Sequence, residues 1–311
     1  MPREPDITLL ERPAPLRWLL ATRPAFLLLA VVAVAIGLAA AGRETEIDIL
    51  TAGLTLLGAT LFHAAINVDN DYHDARNGSD AHNRGRLFPF TGGSRMIQNG
   101  VFSLAQTRRL ALGLYAATAA VGMVLVEQTG IWLLWLGLLG ALLGWAYSAP
   151  PLALAGRGVG ELVVGVGFGL LIPVGAELVQ HGAPSADAVW AGAGFSAMAM
   201  AILLINEFPD RDADSRAGKR NLIVRLGTRH GRWPYALALL WAALLPPLLV
   251  QTGCLPTTAL LAPVALLIAL PALRCLWHHA EQPARLAPAI RATISATLAY
   301  GVLMTIGLAL G

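Results

Sequence analysis

The stretch NVDNDYHDARNGSD, residues 67–80, holds four aspartates and three asparagines and directly follows a long apolar run. Similar apolar runs recur along the whole chain of 311 residues, of which 56% are hydrophobic and 13% are charged. Soluble domains average about 25% charged residues, and a membrane-spanning helix needs about 20 apolar residues in a row. The sequence therefore predicts an all-α integral membrane protein in which acidic residues gather where an apolar run ends.

Apolar runs long enough to cross a bilayer occur at nine places in the sequence. Their approximate bounds are 24–42, 48–67, 103–126, 129–147, 158–180, 186–206, 233–251, 255–273 and 286–310. We expect nine transmembrane helices in a bundle around a central cavity, forming a single membrane domain over residues 1–311. The lipid bilayer is then the main surrounding partner. Nothing in the charge pattern points to nucleic acid, and the sequence defines no oligomeric state.

The basic residues indicate the orientation of the bundle, because cytoplasmic loops of membrane proteins are enriched in Lys and Arg. With nine spans and a cytoplasmic N-terminus, all of the 22 Lys and Arg except Arg43 fall in cytoplasmic segments. We therefore expect a multi-pass protein of the cytoplasmic (inner) membrane with its C-terminus outside. The two long connectors, 68–102 and 207–232, are then both cytoplasmic, and a site between them faces the cytoplasm.

Asn and Asp residues at helical spacing begin where an apolar span ends and continue into each long connector. The first cluster comprises Asn67, Asn70, Asp71 and Asp74, with Asp80 further along. The second cluster comprises Asn206, Asp210 and Asp214. If both apolar helices continue into these segments, the side chains of each cluster share one broad helix face. The two halves of the chain thus carry the same arrangement twice, which is a weak internal repeat.

Clustered carboxylates repel one another unless a cation lies between them, and carboxylate and amide oxygens are the ligands that Mg²⁺ prefers. Basic residues that can bind phosphate oxygens accompany both clusters. The candidates for binding a diphosphate are Arg76, Arg86, Arg95, Lys219 and Arg220. The segment FTGGSR, 90–95, adds a glycine turn whose amides can approach a phosphate. The two clusters therefore indicate a site for magnesium and diphosphate in an apolar bundle. Such a site suits a substrate with a diphosphate head and a lipid tail.

The segment NDYHDARNGSD (70–80) resembles the first aspartate-rich motif of the UbiA superfamily of intramembrane prenyltransferases, and NEFPDRDADSRAGKRNLIVRLG (206–227) is similar to the second. The resemblance implies a nine-helix fold and Mg²⁺-dependent transfer of a prenyl group from an isoprenyl diphosphate donor to an aromatic acceptor. By position, Asn70, Asp71 and Asp74 hold one metal ion. Asp210 and Asp214 hold the second, with Asn206 beside them, and the four aspartates are the catalytic candidates. Gly78 stands where the family's first motif usually has a further Asp, and Asp80 follows two residues later.

Two further segments, TGGSRMIQNG (91–100) and YSAPPLALAGRGVGEL (147–162), resemble the branch that prenylates 1,4-dihydroxy-2-naphthoate for menaquinone biosynthesis. The substrate-pocket candidates are Asn67, Tyr147, Arg157 and Glu161. Arg157 is the sole basic residue of the connector 148–157 and can pair with the carboxylate of an aromatic acid. The absence of a Lys after Tyr147 in this segment counts against a hydroxybenzoate acceptor, although homogentisate and 4-hydroxybenzoate remain alternatives.

Several other interpretations of the same residues stay open. His63 and His73, which flank the first motif, are expected to pack or to support ligands rather than to bind metal. Glu161 can equally be a partnered carboxylate at a helix start, and Glu177 is an ionisable residue inside a span and hence a functional candidate.

For the whole chain, the alternatives are a CDP-alcohol phosphotransferase and a cation-coupled membrane transporter. The phosphotransferase signature is incomplete in DYHDAR, residues 71–76. Transporter sites usually lie near the middle of the bilayer, whereas these clusters lie at the ends of spans.

Overall fold

The structure is a computed structural model that describes residues 3–183 and 185–311. In this part of the chain, nine helices are long and apolar enough to cross a membrane, as the sequence predicts. They are α1 (Pro24–Ala41), α2 (Ile49–Asn77), α3 (Leu104–Thr129), α4 (Ile131–Ser148), α5 (Gly160–His181), α6 (Asp187–Arg216), α7 (Leu222–Gln251), α8 (Thr257–His279) and α9 (Ala287–Leu310). A short helix, Ala14–Ala21, precedes α1.

Two helices continue well past the ends of their apolar runs. α2 has 29 residues and α6 has 30, so both acidic clusters are helical. The predicted connectors 68–102 and 207–232 are therefore wrong in extent, since the loops are 78–103 and 217–221. A search for apolar runs does not detect the last turns of α2 and α6, because their side chains are polar. Polar residues can nevertheless continue a helix when their side chains are held by hydrogen bonds and ion pairs. α2 ends instead at Gly78, whose φ of 85° is the left-handed conformation that commonly terminates helices.

The predicted seventh span begins at residue 233, eleven residues later than α7 does, because the segment 222–232 contains three arginines. Gly227 interrupts α7 with φ 71° and ψ 167°, so that a short first part and a long apolar second part differ in direction. α5 is also irregular, because it widens into a π-helical turn at Gly167–Leu171.

α6 is the central helix of the bundle. Of its most apolar window, 67% is buried inside the protein, whereas the figure for α3 and for α4 is 11%. The windows differ little in hydropathy, so the large apolar side chains of α3 and α4 face lipid rather than a protein core. Close helix contact at the centre depends on small residues, since a Cβ on Gly192 of α6 would collide with the Gly169 carbonyl of α5.

The C-terminal ends of α2 and α6 and the N-terminal end of α7 meet at one end of the bundle. Loop 78–103 joins them there, since Asn83 of this loop bonds to Asp210 of α6. At the other end, Arg43 pairs with Asp187 at the start of α6 at 3.3 Å. The two acidic clusters, separated by more than a hundred residues, are thus brought together through loop 78–103, which follows α2 and packs against the end of α6.

Candidate active site

The first acidic cluster lies on the last three turns of α2. Asp71 is buried and receives the backbone N–H of Ser94 on both carboxylate oxygens, at 3.3 and 3.1 Å. The guanidinium of Arg23 contacts the same carboxylate. One turn further, the Asn70 amide donates to Asp74 Oδ2 at 3.2 Å. The glycine turn of loop 78–103, which the sequence suggested for phosphate, thus uses a backbone N–H to hold Asp71.

Asp80 belongs to the same group of carboxylates. The left-handed turn at Gly78 ends α2 and brings the chain back, and Asp80 is 5% exposed with its Oδ2 accepting from the Gln98 amide at 3.1 Å. A Cβ on Gly93 would come within 2.8 Å of Asp71 Oδ1 and 2.9 Å of Asp80 Oδ2, so only glycine fits there. Burial raises the pKa of Asp80 well above its usual range, and the nearby Asp74 and Asp71 charges add to this effect. A cation between these groups would remove that cost.

The second acidic cluster lies at the end of α6, and neutral amides from other segments hold its carboxylates. The Asn83 amide donates to Asp210 Oδ1 at 2.7 Å, and the Asn221 amide donates to Asp214 Oδ2 at 2.8 Å. Asn206 lies one turn before Asp210. Its Oδ1 is buried, and no hydrogen-bond partner for this oxygen is found in the described part of the chain. An unpartnered oxygen one helical turn from a carboxylate is suited to a cation.

Lys219 connects the two clusters. Its Nζ lies 2.7 Å from Asp74 Oδ1 of the first cluster and 3.3 Å from Asp214 Oδ1 of the second. Burial lowers the pKa of Lys219, but the Asp74 and Asp214 charges outweigh burial and raise it above the usual value. The ammonium group is therefore held charged between the carboxylates. Of the residues predicted to bind diphosphate, Lys219 is the one that the structure places between both clusters.

Arg23 is a site residue that the sequence analysis did not select. Besides contacting Asp71, its Nη2 lies 3.4 Å from Asn70 Oδ1. Burial lowers the pKa of Arg23, but the hydrogen bond to Asp71 and the charges of Asp71, Asp80 and Asp74 together outweigh burial and raise it above the usual value. The backbone is left-handed, with φ 56°, and Pro24 follows as the first residue of α1. Such a conformation is strained for a residue with a side chain, and the position of this arginine just before the first apolar run was its one sequence signal.

The other predicted diphosphate residues lie in different surroundings. Arg86 forms an ion pair with Glu4 at 2.7 Å, which lowers the pKa of that glutamate, and Arg95 donates to the Asp80 carbonyl at 2.6 Å. Arg95 is nonetheless buried beside the first cluster, whereas Arg86 faces the N-terminal segment.

The remaining two diphosphate candidates are exposed. Arg76 lies over the Tyr72 ring, with its guanidinium carbon 5.6 Å from the ring centroid, and the Arg220 backbone N–H donates to the Gly156 carbonyl. The structure brings neither side chain into contact with the acidic clusters. Both assignments stay predictions.

The predicted substrate-pocket residues lie on α2, α4, α5 and loop 149–159. The Asn67 amide donates to the Thr22 carbonyl at 3.0 Å, which ties α2 to the segment before α1. Arg157 is exposed and donates to the Pro151 carbonyl at 2.6 Å. Tyr147 lies near the end of α4 within the electrostatic reach of Lys219 and Glu161.

Glu161 is buried and accepts the backbone N–H of Leu222 at 3.0 Å, which caps the start of α7. Glu177 has a similar role at the opposite end of the bundle, where its Oε1 accepts from the Ser185 hydroxyl at 2.7 Å and from the Ala188 N–H at 3.3 Å. The contacts of both glutamates therefore agree with partnered carboxylates at helix starts.

The two histidines that flank the first motif point to different neighbours. His63 packs edge-on against Phe168, with ring centroids 4.7 Å apart. His73 Nε2 lies 3.7 Å from Asp69, which also pairs with Arg108 of α3 at 2.6 Å. His73 thus takes part in the contact between α2 and α3.

The donor set of the site fits a hard cation. Within residues 3–183 and 185–311, no three Asp, Glu, His or Cys side chains close on a single metal position, because Lys219 and Arg23 lie among the carboxylates. The groups that face these cations are carboxylate and amide oxygens, which bind Mg²⁺ in proteins. Mg²⁺ keeps several waters and is usually bound by one or two carboxylates together with substrate phosphates. Two clusters of few ligands each, on either side of a gap, suit that mode of binding.

The comparison with known protein families agrees with this geometry. A profile of the UbiA prenyltransferase family matches residues 28–305, which include all nine long helices except the first few residues of α1 and the last few of α9. The chain belongs to the UbiA prenyltransferase family. Among its relatives in this family is the 1,4-dihydroxy-2-naphthoate octaprenyltransferase of Escherichia coli, which is 30% identical over 229 residues and covers 72% of each chain.

Solved UbiA structures have the same fold. An apo UbiA homolog from Aeropyrum pernix K1 superposes with a TM-score of 0.68 at 16% identity, covering 90% of this chain and 97% of the homolog. A UbiA homolog from Archaeoglobus fulgidus, bound to DMAPP and Mg²⁺, superposes with a TM-score of 0.59 at 16% identity, covering 93% and 99% of the two chains. These structures confirm the UbiA-like membrane fold of the described part of the chain.

Proposed function

We propose that this UbiA family protein transfers a polyprenyl group from an isoprenyl diphosphate to 1,4-dihydroxy-2-naphthoate, a step of menaquinone biosynthesis. The observation that carries the proposal is the convergence of the two acidic clusters on Lys219 at one end of the bundle. Such a site suits a diphosphate with its metal ions, and the naphthoate prenyltransferase of Escherichia coli is a relative of this chain.

The diphosphate would bind between the two clusters. Bound Mg²⁺ would act as a Lewis acid and stabilise the leaving diphosphate. Asn70, Asp71 and Asp74 would hold one metal ion, and Asp210 and Asp214 would hold the other. The Archaeoglobus fulgidus homolog is bound to both DMAPP and Mg²⁺, which supports this cofactor.

Lys219 and Arg23 provide fixed positive charge for the same step. As the bond between the allylic carbon and the diphosphate oxygen breaks, negative charge grows on the leaving group, and charges fixed in advance stabilise it without reorganisation. The allylic cation that remains reacts with water unless water is excluded. The apolar interior of the bundle, next to the clusters, meets this requirement.

The acceptor must present an electron-rich ring carbon to that cation. The two ring oxygens of dihydroxynaphthoate stabilise the positive charge formed on attack, and the carboxylate at the attacked position leaves as CO₂. A cationic partner for this carboxylate would be Arg157, an exposed residue on loop 149–159 that bonds to a loop carbonyl in the present structure. We further propose that the site faces the cytoplasm from the inner membrane, as the distribution of Lys and Arg predicts.

The test is a competition in one reaction. Membranes containing the protein receive one polyprenyl diphosphate, Mg²⁺ and equal concentrations of dihydroxynaphthoate, 4-hydroxybenzoate and homogentisate, and mass spectrometry identifies the products. We expect the prenylated naphthoquinol to dominate. A dominant product from either other acid would refute the acceptor but keep the prenyltransferase, whereas no Mg²⁺-dependent product from any acid would refute the reaction. R157A should raise KM for the acceptor more than KM for the donor.

A further inference from the structure

The N-terminus of α7 is held from three directions. Its first backbone N–H, on Leu222, donates to Glu161 of α5 at 3.0 Å. The next, on Ile223, lies beside Glu207 of α6. The N–H of Val224 donates to Asn221 Oδ1 at 2.9 Å, which is the usual bond from a helix cap to its third residue. The start of α7 is therefore fixed against both α5 and α6.

The other end of the Asn221 side chain faces the acidic cluster. Its Nδ2 donates to Asp214 Oδ2 at 2.8 Å, and the residue is 2% exposed. The second oxygen of Asp214 is the one that faces Lys219, at 3.3 Å. The amide oxygen of Asn221 thus caps α7, and the amide nitrogen donates to one oxygen of Asp214. The other oxygen of Asp214, Oδ1, is directed toward the gap between the clusters.

We propose that Asn221 is a positioning residue for Asp214: its amide fixes the carboxylate rotamer in which Oδ1 is directed at the cation-binding gap. The inference rests on the proposed function, because it assigns this orientation to the binding of Mg²⁺ with the diphosphate. A carboxylate on a helix end has several rotamers, and ligands of metal ions are usually oriented by a hydrogen bond from a neighbour. Asn221 is suited to this task because the rigid start of α7 holds its own side chain.

The two functions of Asn221 can be separated by substitution. N221S keeps an oxygen for the helix cap, since Ser caps helices about as well as Asn, but its hydroxyl is shorter and cannot replace the amide at Asp214 while capping. A matched control is S103A, which removes the cap of α3, where Ser103 accepts the Gln106 N–H at 3.2 Å.

The experiment uses the purified full-length chain in detergent with an unreactive isoprenyl thiolodiphosphate. The melting temperature is followed as Mg²⁺ is added, and prenyl transfer is titrated with Mg²⁺ in parallel. We expect both midpoints to shift to about tenfold higher Mg²⁺ or more in N221S, the usual effect of losing a partner of a metal ligand. S103A should melt at a lower temperature with an unchanged Mg²⁺ midpoint.

A wild-type Mg²⁺ midpoint in N221S would overturn the inference while leaving the proposed function intact. Loss of the folded state in N221S but not in S103A would also overturn it, because the role of Asn221 would then be structural. If the wild-type protein itself shows no Mg²⁺-dependent shift with the thiolodiphosphate, the proposed function fails, and the inference fails with it.

Discussion

The two acidic clusters have similar sequences but different supports. In the first, Asp71 is held by a cation, Arg23, and by a backbone N–H. In the second, Asp210 and Asp214 are each held by a neutral amide from outside α6. The repeat therefore concerns the carboxylates and not the groups that orient them.

This difference shows that neither half of the chain can build its cluster alone. Asn83, which orients Asp210, comes from the loop after the first motif, and Lys219, which contacts Asp74, comes from the connector after the second. Each half supplies a side chain that the other half needs. The site is thus a property of the folded bundle, and it can be taken apart from either side.

A site built from both clusters requires both to lie on the same side of the membrane. The largest expected effect therefore concerns membrane topology, where a reporter is either accessible or not. A reporter inserted near Ser79 should be on the cytoplasmic side, and a reporter fused after Gly311 should be on the outer side, because seven of the described spans, an odd number, lie between these two positions. Accessibility of the two reporters in intact cells measures this directly. Finding both reporters on one side would contradict the arrangement.

The next largest effect should come from the carboxylates themselves. We expect D71A, D74A, D210A and D214A each to reduce prenyl transfer at least about 100-fold at saturating Mg²⁺, the scale on which one fixed electrostatic group acts on a developing charge. Equal losses in both clusters would show that their different supports serve equal roles. Immunoblots of membranes control for the amount of protein, and full activity in any two variants would refute the site.

Lys219 tests the link between the clusters. K219M should lower the melting temperature of the metal-free protein, because removing one member of a buried charge network costs about 3–5 kcal/mol, and Mg²⁺ with a diphosphate should restore part of it. The conservative K219R keeps the charge and serves as the control. If K219M melts like the wild-type protein without metal, the ammonium does not hold the clusters together.

The smallest effect concerns the ion pair between Glu4 and Arg86, which joins the N-terminal segment to loop 78–103. The Glu4–Arg86 pair is about one quarter exposed, at 28% and 25%, and exposed pairs contribute only about 0–1 kcal/mol. We expect E4Q to leave KM for the donor within about twofold of the wild-type value and to change the melting temperature little. A large rise of KM in E4Q would mean that this pair sets the position of the Asp80 region.

The nine spans and both clusters could be predicted from the sequence, because apolar length and the spacing of Asn and Asp are local patterns. The lengths of α2 and α6 could not, since their last turns are polar. Arg23, Asn83 and Asn221 were also missed as site residues. Each acts through a contact with a distant segment, and no local pattern in the sequence encodes that contact. For Asn221 the sequence indicates only the helix cap, because an Asn just before an apolar run is a recognised sign of a helix start.

The place of Lys219 between Asp74 and Asp214 has a consequence for the order in which ligands bind. A divalent cation that arrives alone must displace the ammonium group from its carboxylates, whereas a diphosphate offers the displaced ammonium a new anionic partner. The two ligands should therefore bind synergistically, each raising the affinity for the other by the same factor. Calorimetric titration of each ligand with and without the other measures that factor, and a factor of about one would exclude the coupling. Such synergy would make the protein bind the metal weakly until the isoprenyl diphosphate is also bound.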